Sequence, residues 1–354
     1  MISYIGGKMR MADWISGFVP EYETYVEVFG GAYWVYINSD IHERCDKAIY
    51  NDFNPYMTNL FRCASDPKTF AKYIDKKNPP LQTKGKPELS EECKEYFEQC
   101  KEDLFWPDEG VKVLREHLKN KKIVKKRRRS CNEMITLGRA LRQNHNNEDR
   151  DTFGDKVKAG KKDQVAALKY AYVITCSFSG IDPVDSEFQD YKGKYGSKFG
   201  AFYNRLTSDK FIPKLKKIDS CENFSFEEVI TKYDSPNTYF YCDPPYWNTE
   251  TYYSLHGFGK QQHEELRDCL KSNKFKGKFA LSYYDFDELN KWYPEDEFTW
   301  ETKEFVKPAG AKEGMEQSTG EEVLILPKSA TQCYHFITRS TPLLYNFFIF
   351  KMFS

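Results

Sequence analysis

The sequence predicts an α/β fold, and three stretches carry that expectation. Thr24 to Phe29 reads as a strand that runs directly into Gly30-Gly31-Ala32. Lys47 to Asp52 reads as a second short strand ending in a carboxylate. Ser235 to Trp247 (SPNTYFYCDPPYW) centres on an aromatic strand that stops at Asp243-Pro244-Pro245-Tyr246. Each is a short apolar run bounded by glycine, proline or an acid, as expected of strands whose carboxyl ends carry a ligand site in an open sheet. Pro244 and Pro245 supply no backbone N–H, so regular pairing stops there. A carboxylate, proline carbonyls and an aromatic ring are therefore expected together at a strand's carboxyl edge. Such a set can receive a planar amino group, with its N–H groups donating to Asp243 and the Pro244 carbonyl and its ring on Tyr246.

A chain of 354 residues can hold one large domain, or a core with a second one inserted. Its 53 Lys and Arg balance 53 Asp and Glu. The zero total neither favours nor excludes nucleic acid, because a local basic patch can hide within it. The 10 cysteines have no close pair at ligand-like spacing. They read as reduced thiols of an intracellular protein, with a structural zinc site as the alternative. The opening MISYIGGKMRMADW lacks a positive lead followed by an apolar run, so it does not read as a secretion signal. No apolar stretch reaches transmembrane length.

Taken in order, Tyr4-Ile5-Gly6-Gly7-Lys8 precedes a helix reading MRMADWISGF, and its glycines allow close backbone approach to a ligand. Gly30 and Gly31 follow the first strand as in nucleotide-cofactor folds, but without the GxGxxG spacing of a dinucleotide site. Asp52, ending the second strand, suits two ribose hydroxyls. It would equally suit the cap of the helix starting near Pro55, a role open also to Asn54.

From Asp66 to about Lys125 the composition is mixed-charge and helical, broken at Pro79-Pro80, Gly85 and Pro87 before the amphipathic CKEYFEQCKEDLF. The block KNKKIVKKRRR, Lys119 to Arg129, holds 8 cations in 11 residues, with Lys125, Arg127 and Arg128 at its centre. It reads as a phosphate-contacting surface or as a solvated charged face. Ser130 to Arg142 looks helical, and HNNEDRDTFGD reads as a loop. Ala166 to Gly180 is apolar and aromatic. Gln189 to Leu206 interleaves cations, glycines and rings, a mixture suited to backbone contact and base stacking. Lys198, Asn204 and Arg205 are the candidates there for reading base edges, a core role being equally open to Asn204.

Ile218 to Ile230 reads as a strand followed by a helix, with Ser225 in capping-box spacing to Glu228. NTETYYSLHGFGK is a loop able to close over a substrate, and QQHEELRDCL is a helix on which His263 is structural or capping rather than a general base. GKFALSYYD and the late EEVLIL read as further strands. The tail from Ser329 to Ser354 either packs on the sheet edge or extends from it.

Together these stretches resemble the D12 class of DNA adenine methyltransferases. Tyr4 to Lys8 resembles the family's aromatic-GGK element, Val26-Glu27-Val28-Phe29-Gly30-Gly31 its VEPFxGxGA motif, and Asn51-Asp52-Phe53-Asn54 its NDxN helix start. Asp243-Pro244-Pro245-Tyr246 resembles its catalytic DPPY, and Phe202-Tyr203-Asn204-Arg205 its YNR-like element. Adenine carries the planar amino group that Asp243 and the Pro244 carbonyl would receive. Val28 departs from the family's proline, Ser225 from an aspartate, Tyr284 from an asparagine, and Ala32-Tyr33-Trp34 from smaller residues.

The resemblance implies a Rossmann-like S-adenosylmethionine-dependent methyltransferase core at 1–60 and 211–328. It implies a mainly helical target-recognition insertion at 61–210 and an extension at 329–354. It implies transfer of methyl from S-adenosyl-L-methionine to adenine N6 in double-stranded DNA after base flipping, without a metal. Asp243, Pro244 and Tyr246 would be catalytic. Tyr4, Lys8, Phe29, Gly30, Asp52, Phe226 and Asp243 would hold the donor, with a core role for Phe29 left open. Cytosine N4, RNA adenine, or a DNA-binding homologue without turnover are the alternatives. A monomer or weak homodimer off the membrane, in the cytoplasm of a bacterial, archaeal or phage-infected cell, completes the expectation, with a restriction-modification role among its contexts.

Overall fold

A computed structural model describes residues 2, 7–86, 88–105, 160–177, 186–190, 196–247, 258–306 and 319–328. Seven strands form one sheet in the order β3-β2-β1-β4-β5-β7-β6. They are β1 (Tyr22–Glu27), β2 (Cys45–Asn51), β3 (Ile218–Glu222), β4 (Thr238–Cys242), β5 (Lys278–Tyr283), β6 (Phe298–Val306) and β7 (Thr319–Pro327). The first five run parallel. β7 is antiparallel to β5, and β6 to β7. The order reverses direction at β1 and β4, so their carboxyl ends flank a crevice, the usual place for a ligand in such a sheet.

Strand residues alternate between two cores. Tyr25, Tyr50, Tyr239, Tyr241, Ala280 and Leu324 face one side. Val26, Ile49, Phe240, Leu281, Tyr283 and Ile325 face the other. On the first side lie α1 (Ala12–Ser16), α2 (Trp34–Ile37), α3 (Ile41–Arg44), α4 (Pro55–Ala64), α5 (Pro67–Lys77), α6 (Leu89–Phe105), α7 (Gln164–Cys176), α8 (Lys198–Thr207) and α9 (Ile212–Lys216). On the second lie α10 (Phe226–Tyr233), α11 (Lys260–Leu270) and α12 (Leu289–Trp292). All five residues of β4 are buried, as a central strand covered on both faces requires.

Local chemistry starts several of the helices. Pro55 at the first position of α4 follows Asn54, whose side chain accepts from the Tyr56 and Met57 N–H groups. Asp163 and Ser197 cap α7 and α8 in the same way. Ser225 and Glu228 close a reciprocal capping box on α10. The segment expected as an insertion shares its core with the sheet: in α7, Tyr170, Tyr172 and Ile174 are fully buried, and Asn54 Nδ2 donates to the Tyr170 hydroxyl at 3.1 Å.

β1 ends two residues before the expected Phe29 and β2 one residue before the expected Asp52, because both residues already belong to the loops that line the cavity. β6, a nine-residue antiparallel edge strand with charges alternating through it, has no counterpart in the sequence reading. The stretch Ser130 to Arg142, the basic block and the tail from Ser329 lie outside the described residues.

The glycine-rich bend after β1 is shaped by its neighbours as well as by any ligand. A Cβ on Gly30 would lie 2.4 Å from the Tyr50 ring and 2.9 Å from the Asn51 carbonyl oxygen, so the glycine lets β1 and β2 converge. Gly31 has φ +46°, and Tyr33 also takes a left-handed conformation, φ +58°, unusual for a bulky residue. Its ring offsets that strain by stacking on Tyr36 at 4.6 Å and meeting Tyr50 edge-on at 5.0 Å. Gly30→Ala is therefore expected to destabilise the fold by about 2 kcal/mol through overpacking. Urea unfolding of the variant checks this, and unchanged stability would mean that the β1–β2 convergence is not tight.

Candidate functional site

Side chains from β2 and its following turn clasp three strand ends. Asn51 Nδ2 donates to the Val28 carbonyl at 2.8 Å and the Phe224 carbonyl at 3.2 Å, while its oxygen accepts from Phe224 N–H at 3.0 Å. Asp52 accepts from Gly31 N–H at 2.7 Å through one oxygen and from Asn54 N–H at 2.7 Å through the other. The carboxylate thus fixes the glycine bend and the entry to α4 while lining the cavity beside them. Asn223 and Thr58 donate to the Asp52 carbonyl at 2.8 and 3.0 Å.

These loops enclose a cavity of about 270 Å³ at the carboxyl ends of β1, β2 and β4. Phe29, Phe226 and Phe258 form an aromatic cluster on one side, with ring centroids 5.7 to 6.0 Å apart. Phe53, 54% exposed, stands at the rim next to Asp52. Among the described residues, five carboxylates line the space, Glu27, Asp52, Glu227, Asp243 and Glu265, with Lys8 as the cation. Flat aromatic walls, an acid at the end of β2 and a surplus of carboxylates fit a nucleoside that carries positive charge.

Glu27 is the deepest of these acids, 2% exposed at the end of β1. One oxygen accepts from the Tyr25 hydroxyl and the Tyr36 N–H, each at 2.9 Å. Burial pushes its carboxyl up to about 8 despite those two donors.

At the end of β4 the catalytic candidates meet a second group of charges. Lys8 Nζ lies 2.9 Å from Asp243 Oδ1 and 3.4 Å from Glu322 Oε1. The same ammonium sits 4.5 Å from the centroid of the Tyr246 ring. The Tyr246 hydroxyl donates to Glu322, and Tyr284 meets the ring edge-on at 4.4 Å. Tyr246 is thus buried, with Lys8 over one face, whereas Asp243 keeps 17% of its side chain exposed and lines the cavity. Burial pushes the Asp243 and Glu322 carboxyls up, and Lys8 pulls both down.

The structure brings together Lys8, Phe29, Gly30, Asp52, Phe226 and Asp243 around one cavity. Tyr4, Lys125, Arg127 and Arg128 lie outside the described residues, as do Tyr253 and Gly257. On α8, Asn204 is exposed, Lys198 Nζ donates to Gln189 Oε1 at 2.6 Å, and the half-buried Arg205 guanidinium packs 5.3 Å from the Trp34 ring. His263 is buried, its Nδ1 sharing a 2.7 Å hydrogen bond with the Tyr283 hydroxyl behind the site. Glu27 and Glu322 had no assigned role in the sequence reading. The signals there are an acid inside an otherwise apolar strand and a match to a family stretch, VEPFxGxGA for Glu27 and EEVLI for Glu322.

Five parallel strands extended by an antiparallel pair, with a carboxylate-rich cavity at the switch of strand order, define an α/β protein whose strand order places a ligand-sized cavity at the carboxyl ends of β1 and β4. A model of the D12 class N6 adenine-specific DNA methyltransferase family matches residues 4–307, and the chain belongs to that family. Membership supports methyltransferase activity that draws on S-adenosyl-L-methionine and is directed in general to adenine N6 of DNA. Comparison with proteins of curated function finds no match. Among the described residues, no group of three or more His, Cys, Asp or Glu could hold a metal ion, and no helix is long and apolar enough to cross a membrane.

Glu27 has a consequence for stability. Its folded carboxyl titrates near 8, above the 4.5 of a free glutamate, so between those values the folded chain binds the extra proton. Its contribution is full below 4.5 and is lost as pH rises through 8, with a slope of at most about 1.4 kcal/mol per pH unit. Glu27→Gln should flatten that part of the profile in urea unfolding at pH 5 to 8.5. An identical slope in both proteins would show that Glu27 ionises normally.

Proposed function

We propose that this protein is a site-specific DNA methyltransferase that methylates adenine N6 in duplex DNA after the target base has left the stack. The observation that carries the reading is the Asp243 carboxylate beside Pro244, at the end of β4 and on the edge of a cavity suited to a cationic nucleoside. S-adenosyl-L-methionine, when bound, supplies an electrophilic methyl group. Asp52 would accept from its ribose hydroxyls, Phe29, Phe226 and Phe53 would pack its rings, and Glu27 would meet positive charge at the far end.

Asp243 and the Pro244 carbonyl accept the two N–H groups of the N6 amine, so that its lone pair faces the cavity. As positive charge develops on N6, the carboxylate stabilises it. A carboxylate is a weak base toward a neutral aryl amine, so the proton leaves only after transfer, when the positively charged N6 is acidic and passes it to the Asp243 carboxylate and on to solvent. An extruded adenine could lie on the face of Tyr246 away from Lys8, or take the place of the ammonium.

The segment 61–210 is proposed to recognise the target, with the exposed face of α8 and the basic block from Lys119 to Arg129 supplying phosphate contacts. An intracellular, cytoplasmic setting, off the membrane and in a cell that carries foreign or modified DNA, follows from the same reading, as does a monomer or weak dimer.

A labelled-donor assay on a library of unmethylated duplexes, followed by nucleoside analysis, tests the reading. N6-methyladenine is the expected product. Label only in N4-methylcytosine or RNA would overturn the substrate, and donor binding without transfer would leave a DNA-binding homologue.

Asp243→Ala should slow single-turnover transfer about a hundredfold, on the order of 3 kcal/mol, while calorimetric donor binding and circular dichroism stay near wild type. Near-normal transfer by a folded variant would remove Asp243 from the chemistry. Asp52→Ala should give the reverse pattern, weak donor binding with chemistry largely restored at saturating donor.

A further inference from the structure

The methyl-acceptor end of the site includes a buried acid whose role neither the family assignment nor the donor cavity explains. Glu322 lies on β7, between the half-exposed Glu321 region and the fully buried run Val323 to Leu326. Antiparallel pairing of β7 with β5 sets Val323 opposite Tyr283, so Glu322 comes level with the carboxyl end of β5, beside Tyr284. It is 2% exposed, accepts from the Tyr246 hydroxyl, and shares the Lys8 ammonium with Asp243.

Stability does not account for this arrangement. A buried cation between two carboxylates is a weak source of folding energy, because desolvation of three charges offsets their attraction. An apolar side chain would continue the β7 pattern at lower cost. What Glu322 does provide is geometry: it accepts from the Tyr246 hydroxyl, which also bonds to Asp243, and holds Lys8 beside Asp243.

We propose that Glu322 is a positioning residue for methyl transfer, orienting the Tyr246 ring through its hydroxyl and holding Lys8 where it balances the charge of Asp243. This rests on the function proposed above. Glu322 touches neither reacting group. It sets the angle of the surface on which the adenine would lie and the electrostatic state of the acceptor of its amine.

Two variants separate the halves of this role. Glu322→Gln keeps the shape and the acceptor for Tyr246 but removes the charge. Tyr246→Phe keeps the ring and removes the hydroxyl. Each should slow single-turnover transfer about tenfold or more at saturating donor and DNA, with donor affinity by calorimetry within about threefold of wild type. Because the two variants remove different halves of the role, the loss in the double variant should exceed that of either single one.

The donor-free protein gives a readout independent of turnover. Carbon-13 titration of the Asp243 carboxyl should move to lower pH in Glu322→Gln, since a neighbouring negative charge is gone. The other groups facing it, Lys8 before α1, Glu27 on β1, Tyr241 on β4, Tyr246 after β4 and Tyr284 after β5, are retained.

A wild-type enzyme that methylates adenine, with a Glu322→Gln variant equal to it in rate and titration, would overturn the positioning role alone. Losses that track reduced thermal stability would do the same. A wild-type protein that transfers no methyl to adenine would overturn the proposed function, and the positioning role with it.

Discussion

Three parallel strands end at the same level because two adjacent side chains tie them there. Asn51 bonds to backbone groups of the loops after β1 and β3, and Asp52 holds the glycine bend on one side and the start of α4 on the other. Without these bonds the loops would carry unpaired polar groups into a buried crevice, a cost on the order of 1 to 3 kcal/mol for each. The cavity is therefore a by-product of satisfying backbone hydrogen bonds at a point where strand order reverses. Gly30 is part of the same constraint, its missing side chain leaving room for Tyr50 and the Asn51 carbonyl.

On this frame the charges divide into two sets. Toward β1 and β2 stand Glu27, whose carboxyl burial pushes up to about 8, and Asp52, whose two oxygens accept from the Gly31 and Asn54 N–H groups. Toward β4, β5 and β7 a single lysine serves two acids and an aromatic ring. Holding a compact ammonium at this junction keeps Asp243 close to neutral balance while leaving part of it exposed to the cavity. The two halves thus differ in how their acids are held, by backbone N–H groups in one and by a lysine in the other, although Asp243 lines the cavity of both.

Much of this was legible in the sequence, for local reasons. The ends of β1, β2 and β4 are marked by glycines, by Asn51-Asp52 and by prolines, and each marker acts within a few residues of itself. The caps at Asn54 and Ser225 are equally local. Glu27 and Glu322 were not legible as site residues, because an acid in an apolar strand becomes meaningful only when its partners are known, and those arrive from elsewhere in the chain. The same holds for Tyr246: its place after Pro245 announces a ring near the carboxylate, but the lysine over its face comes from ahead of the first helix. β6 was missed because its alternating charges suit an edge strand that only its pairing with β7 reveals.

The position of Glu322 on the last strand also bears on how the molecule is made. Lys8 precedes β1, Tyr246 follows β4, and Glu322 arrives only with β7, after every other strand has been synthesised. During translation, the cavity end formed by β1 to β4 can assemble while the lysine and the DPPY ring still lack one partner. Closing that contact joins segments separated by nearly the whole described chain, a step with high loop-closure entropy and high contact order. The acceptor end thus cannot reach its final geometry until β7 has been synthesised, whereas the residues that line the donor cavity all precede that strand.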